Sequence, residues 1–176
     1  MKSARFSTRR LVTAALIAAL YTALTVCLAP ISFGAAQCRV AEALTVLAAI
    51  TPAAIPGLTV GCLLSNLLGI SLGTAVIGFP DVIIGSLTTL VAALLTRRWR
   101  SCRLWGLPVL STLPPVVLNA LAVGTELTLV SPVRTLPVWL LQTGLVAAGQ
   151  AVACIGGGLL LYRGLTVSGL ANRLDE

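Results

Sequence analysis

At 176 residues, with 57% hydrophobic and 10% charged residues, the chain carries more apolar surface than a soluble core of this size can bury, which excludes a soluble domain. Its formal net charge of +7 sits in short clusters between apolar runs, without interleaved aromatics or a recognisable binding module, and reads as membrane topology rather than nucleic-acid binding. There is no His, and Cys27, Cys38, Cys62, Cys102 and Cys154 are scattered without a CxxC pair, so neither a metal site nor a disulfide framework nor a cofactor is expected.

Lys2, Arg5, Arg9 and Arg10 precede the first apolar run, Leu11 to Ala29. That run exceeds the roughly 7–15 residues of a signal-peptide core, so it is expected to stay as a first span. Crossing about 30 Å of hydrocarbon takes roughly 20 apolar residues, and segments separated by Pro, Gly or charge place spans at 11–29, 40–51, 55–72, 81–96, 104–123 and 136–162. The second is short. Taking 40–72 as two crossings puts the N-terminal cluster, the loop Arg97 to Arg103 and the tail with Arg163 and Arg173 on one side, in line with the positive-inside bias. The expected architecture is therefore a single all-α domain over 1–176, with six transmembrane helices and both termini cytoplasmic, multi-pass in the plasma membrane.

This topology brings the polar residues to one depth near the outer face. Gln37 and Arg39 lie in the first outer loop, and Glu42 opens the second span. Asn66 falls in the outer half of the third, and Asp81 starts the fourth. Asn119, Glu126 and Gln142 complete the group, while the inner half holds almost nothing comparable. Ionisable groups at membrane depth normally face a cavity or a partner. The pattern describes an outward-facing polar pocket with an apolar floor, a binding site rather than a pore. Plainer readings stand beside it: Glu42 and Arg39, three apart, can pair with each other. Asp81 after Pro80 can serve as a helix cap, and the amides as interhelical glue. Gly156-Gly157-Gly158 lacks the context of a phosphate loop and reads as a close-packing or bending site. Ala14, Ala15, Ala18, Ala19 and Ala23 form small-residue faces on the first helix, suited to another helix inside or outside the chain.

Three stretches carry a resemblance: Phe33-Gly34-Ala35-Ala36-Gln37-Cys38-Arg39-Val40-Ala41-Glu42-Ala43-Leu44; Ile55-Pro56-Gly57-Leu58 with Gly61-Cys62-Leu63-Leu64-Ser65-Asn66; and Asp81-Val82-Ile83-Ile84-Gly85-Ser86-Leu87. With them the chain resembles, over essentially its whole length, the QueT family of substrate-binding S components of energy-coupling factor (ECF) transporters. The resemblance implies a six-helix S-component bundle that binds a queuosine precursor, a 7-deazaguanine base, near the outer face. It also implies that the alanine face of the first helix (Ala14, Ala15, Ala18, Ala19) docks on a transmembrane scaffold subunit joined to two ATPases. A deazaguanine edge offers adjacent ring N–H and amino donors that one carboxylate accepts side by side, and its oxo group needs a donor; an aminomethyl form adds a cation that suits a second carboxylate. Glu42 is the first candidate for that edge, with Gln37, Asn66 and Asn119 as orienting amides and Arg39, Asp81, Glu126 and Gln142 as further contacts. No catalysis is expected of the chain. An S component for another vitamin or nucleobase, or a membrane assembly protein, are the alternative readings.

Overall fold

The computed structural model describes residues 8–33, 37–104 and 106–175. Lys2, Arg5 and the loop positions Gly34, Ala35 and Ala36 lie outside the described residues. The described chain is helical, with one isolated bridge between Leu104 and Leu107. Helix α1 is Thr8–Cys27, followed by a helical turn at Ala29–Ser32; α2 is Val40–Ile50 and α3 is Ala54–Ser71. Then come α4, Phe79–Arg98, α5, Val109–Val130, α6, Leu136–Val167, and the short α7, Leu170–Asp175.

Among the described residues, α1, α3, α4, α5 and α6 are long and apolar enough to cross a membrane, giving five candidate spans where the sequence suggested six. The difference is α2. It begins as a 3-10 helix over Val40–Val46 and turns α-helical only at Leu47–Ile50. Even at the 3-10 rise of about 2.0 Å per residue it falls short of about 30 Å. It is instead enclosed: Ala41, Glu42, Leu44, Thr45, Val46, Leu47, Ala48 and Ile50 are all buried. α5 runs Val109–Val130, where the sequence suggested 104–123. Gly106, at φ 78°, closes a turn ahead of Pro108, and Pro114 is tolerated in the first turn after Leu113, where no intrahelical N–H bond is lost. α6 continues to Val167, beyond the expected 162, and stops before Gly169, whose φ of 74° suits a left-handed terminus.

Consecutive long helices pack on one another, α1 with α3, α3 with α4, α4 with α5 and α5 with α6, and α2 lies against α1, α4 and the middle of α6. Two glycines permit the first of these contacts. A Cβ at Gly57 would sit 2.7 Å from the Ala14 carbonyl oxygen, and one at Gly61 2.8 Å from the Cβ of Tyr21. The third close approach is at the π-helical stretch Val152–Gly157 inside α6, where a Cβ on Gly157 would lie 3.1 Å from that of Ala43. The glycine run thus lets α2 press against α6.

The Arg9 guanidinium donates to the Arg173 carbonyl, and Arg97 donates to the carbonyls of Ala48 and Ile50, each at 3.3 Å. The start of α1, the ends of α2 and α4, and α7 therefore share one end of the bundle. Next to that end lies an apolar core that includes Ile17, Leu44, Leu47, Leu58, Ala93 and Tyr162.

Candidate functional site

The other end of α2 carries the polar groups. Arg39 caps the helix with extended backbone, φ −77° and ψ 98°, and the residue is 3% exposed. Its Nη2 donates to Asp81 Oδ2 at 2.6 Å, Nε to the Ser32 carbonyl at 3.4 Å and Nη1 to Cys62 Sγ at 3.8 Å. The guanidinium lies over the Phe33 ring, 5.3 Å from its centre. Asp81 stands in the first turn of α4, yet its side chain caps nothing; it goes to Arg39. Its backbone carbonyl accepts Asn66 Nδ2 at 2.8 Å. Gly85, one turn along, gives the carboxylate room, since a Cβ there would collide with Asp81 Oδ1.

Glu42 does not pair with Arg39. Tyr21 Oη donates to its Oε1 at 2.5 Å, and its Oε2 has no partner. Its backbone carbonyl accepts Thr45 Oγ1 at 2.7 Å and Cys154 Sγ at 3.7 Å, which ties this turn of α2 to α6. Asn119 on α5 lies close enough for its amide to act on the Glu42 carboxylate, though its Nδ2 makes no hydrogen bond of ordinary geometry. Glu126, two turns along the same helix, interacts electrostatically with Asp81 and Arg39, and neither of its oxygens makes a hydrogen bond. Gln37, buried with φ 36°, leaves its Oε1 unpartnered, and so does Asn66 its Oδ1.

The structure thus draws Arg39, Glu42, Asn66, Asp81, Asn119 and Glu126 into one buried cluster. Gln142 is half-buried and its Oε1 makes no hydrogen bond. Of the four α1 alanines expected to dock on a scaffold subunit, Ala18 is buried and Ala14 lies against Gly57, while Ala15 and Ala19 are exposed. Sequence reasoning missed Tyr21. The available signal was a phenol well inside an apolar run, because a Tyr hydroxyl buried there needs an acceptor.

Buried polar groups are normally paired, and an unpaired one costs about 1–3 kcal/mol, more when charged. Here the unpartnered atoms include the acceptors Gln37 Oε1, Glu42 Oε2, Asn66 Oδ1, Asp81 Oδ1 and both Glu126 oxygens, the donor Asn119 Nδ2, and the Ser32 and Thr89 hydroxyls, which can do either. Among the described residues no group of three or more His, Cys, Asp or Glu could hold a metal ion.

An all-helical bundle with several spanning helices around such a cluster defines a multi-pass membrane protein with an internal polar site. The model of the QueT transporter family matches residues 11–166, and the chain belongs to that family, a family of transporters rather than enzymes. It is similar to the protein named queuosine precursor transporter QueT from Lactococcus lactis subsp. cremoris (strain MG1363), at 38% identity over 102 residues, covering 54% of this chain. The matched region spans 56% of that relative's length. No solved structure matches the chain.

Proposed function

We propose that the chain is the substrate-binding component of an ECF importer and takes up a queuosine precursor, with Glu42 as the centre of recognition. The observation that carries this reading is the asymmetry of Glu42. One oxygen is held by Tyr21 and the other makes no hydrogen bond of ordinary geometry, with the Asn119 amide beside the carboxylate as its nearest donor from α5. A 7-deazaguanine base presents ring N–H and amino donors to such a carboxylate, and its oxo group accepts from an amide like that of Asn119. The name of the Lactococcus relative points to the same ligand class.

In this reading the basic end of the bundle faces the cytoplasm and the cluster opens outward, with the apolar core as its floor. The exposed Ala15 and Ala19, with the groove between α1 and α3 lined by Ala19, Thr22, Ala23, Val26, Leu64 and Leu68, form the surface for the transmembrane scaffold subunit, which carries two ATPases. Small side chains there allow close helix approach, and no nucleotide chemistry is asked of this chain. The test is tRNA queuosine content in cells unable to make the base and fed a precursor. Cells carrying the chain and its ECF module should modify their tRNA, and those carrying Glu42→Gln should not. Equal modification with and without the chain would refute the assignment.

A further inference from the structure

We infer that the end of the bundle remote from Glu42 holds a second binding site, a cavity that takes a phosphate ester between Arg100 and Arg103. It lies beyond the far end of α2 and neither requires nor excludes a deazaguanine, so the two sites stand or fall separately.

The local sequence sets the two arginines in a fixed frame. After α4 the Cys102 N–H donates to the Trp99 carbonyl at 2.9 Å, in a turn with Arg100 and Ser101 at its centre. Immediately after Arg103, Leu104 and Leu107 exchange backbone hydrogen bonds of 2.9 and 3.0 Å around the turn at Gly106. The backbone that carries Arg100 and Arg103 is thus held on both sides. Beside it lies a cavity of about 570 Å³, walled by Ile50 at the end of α2, Tyr162 on α6 and Ala171 on α7. Arg100, Ser101, Arg103 and Asn172 line it as well.

The charge of this cavity is one-sided. Among its described lining residues there is no Asp or Glu, and neither Arg100 nor Arg103 makes an ion pair or side-chain hydrogen bond with another described residue. The carbonyls of Ala48 and Ile50 would give the wall a negative helix end, but both accept from Arg97. Two guanidiniums, a hydroxyl and an amide therefore offer donors to one volume. Each guanidinium fork meets two oxygens side by side. A phosphate ester has acceptor oxygens for both forks, where a single carboxylate satisfies one.

The surroundings favour one source of that phosphate. Leu104, Val167 and Leu170, each adjacent in sequence to a lining residue, are exposed. They suit the acyl chains of a phospholipid whose headgroup enters the cavity. A soluble phosphate ester shares the headgroup chemistry and lacks the chains.

The test is thermal unfolding of the purified full chain in neutral detergent, titrated separately with phosphatidylglycerol, glycerol phosphate and phosphate-free diacylglycerol at constant ionic strength. Phosphatidylglycerol should raise Tm saturably, and diacylglycerol should not. Arg100→Gln and Arg103→Gln should each weaken the apparent affinity by about fivefold or more. Arg134→Gln removes the same charge beyond the other end of α6 and should leave the affinity within about twofold. Asn172→Trp, a neutral change at an exposed position that fills the cavity, should abolish the saturable rise. A response to phosphatidylglycerol alone assigns the cavity to a lipid headgroup, and a response to glycerol phosphate assigns it to the phosphate group whatever its tail. No saturable response to either compound, equal losses in Arg134→Gln and Arg100→Gln, or undiminished binding by Asn172→Trp overturns the site. Cooperative melting of each variant without ligand reports its folding, and the exposed arginine variants carry the test if Asn172→Trp does not fold.

Discussion

Arg39 reaches across 42 positions of sequence to Asp81, at 2.6 Å, and passes over Glu42 only three residues away. That choice organises the cluster. The pair closes a contact between the start of α2 and the start of α4, and it leaves Glu42 to Tyr21 and to whatever enters the site. Removing one partner of such a buried pair strands the other charge.

We therefore expect Asp81→Asn and Arg39→Met each to lower stability by about 3–5 kcal/mol, and the double variant to lose clearly less than the sum. Thermal unfolding of the four proteins in detergent measures this. Additive losses would mean that the pair contributes no coupling.

Tyr21→Phe removes the hydroxyl that fixes Glu42 Oε1 and leaves both carboxylate oxygens open. Ligand affinity should fall about tenfold, since a carboxylate free to change rotamer is no longer preorganised, and the fold should persist. Calorimetry on the variant checks this; unchanged affinity would show that the Tyr21 contact is structural only.

Gly85→Ala sets a methyl group against Asp81 Oδ1 and 3.1 Å from Asn66 Nδ2. It should displace the carboxylate from Arg39 and reduce both stability and binding. Gly144→Ala, with nothing within 4 Å of the added Cβ and no clash, should instead be neutral or stabilise by about 0.5–1 kcal/mol, the usual gain of Ala over Gly in a helix. Paired melting curves separate the two; an equal effect of both would contradict the cradle.

Glu126→Gln should stabilise the empty protein by about 1 kcal/mol, roughly 2–4 °C in Tm for a chain of this size, because an unpaired buried carboxylate becomes a neutral amide. A fall in Tm without ligand would mean that Glu126 has a partner in the folded state.

Much of the framework was legible in the sequence, because five of the apolar runs have the length that bilayer thickness demands. α6 begins at Leu136 where expected, and α3 at Ala54 beside Pro56. The bounds of α5 were not legible: its apolar pattern runs through Glu126, and the turn at Gly106 that delays its start depends on a backbone conformation and not on hydropathy. That Glu42, Asn66, Asp81, Asn119 and Glu126 could be neighbours was legible from the apolar runs alone, because consecutive helices that alternate in direction bring such positions toward one end of a bundle. Who pairs with whom does not follow, because Arg39 had Glu42 and Asp81 within reach, and only the packing of α2 against α4 decides between them. Tyr21 was hidden for a similar reason. Its hydroxyl has a meaning only once Gly61 lets α3 approach α1 and α2 settles beside both.

The most direct measurement is equilibrium binding of queuosine precursors to the purified chain and to Glu42→Gln. The account predicts saturable binding of a deazaguanine to the chain and loss of that binding in a folded Glu42→Gln. Equal affinity in the two proteins would contradict the placement of Glu42 at the centre of the site.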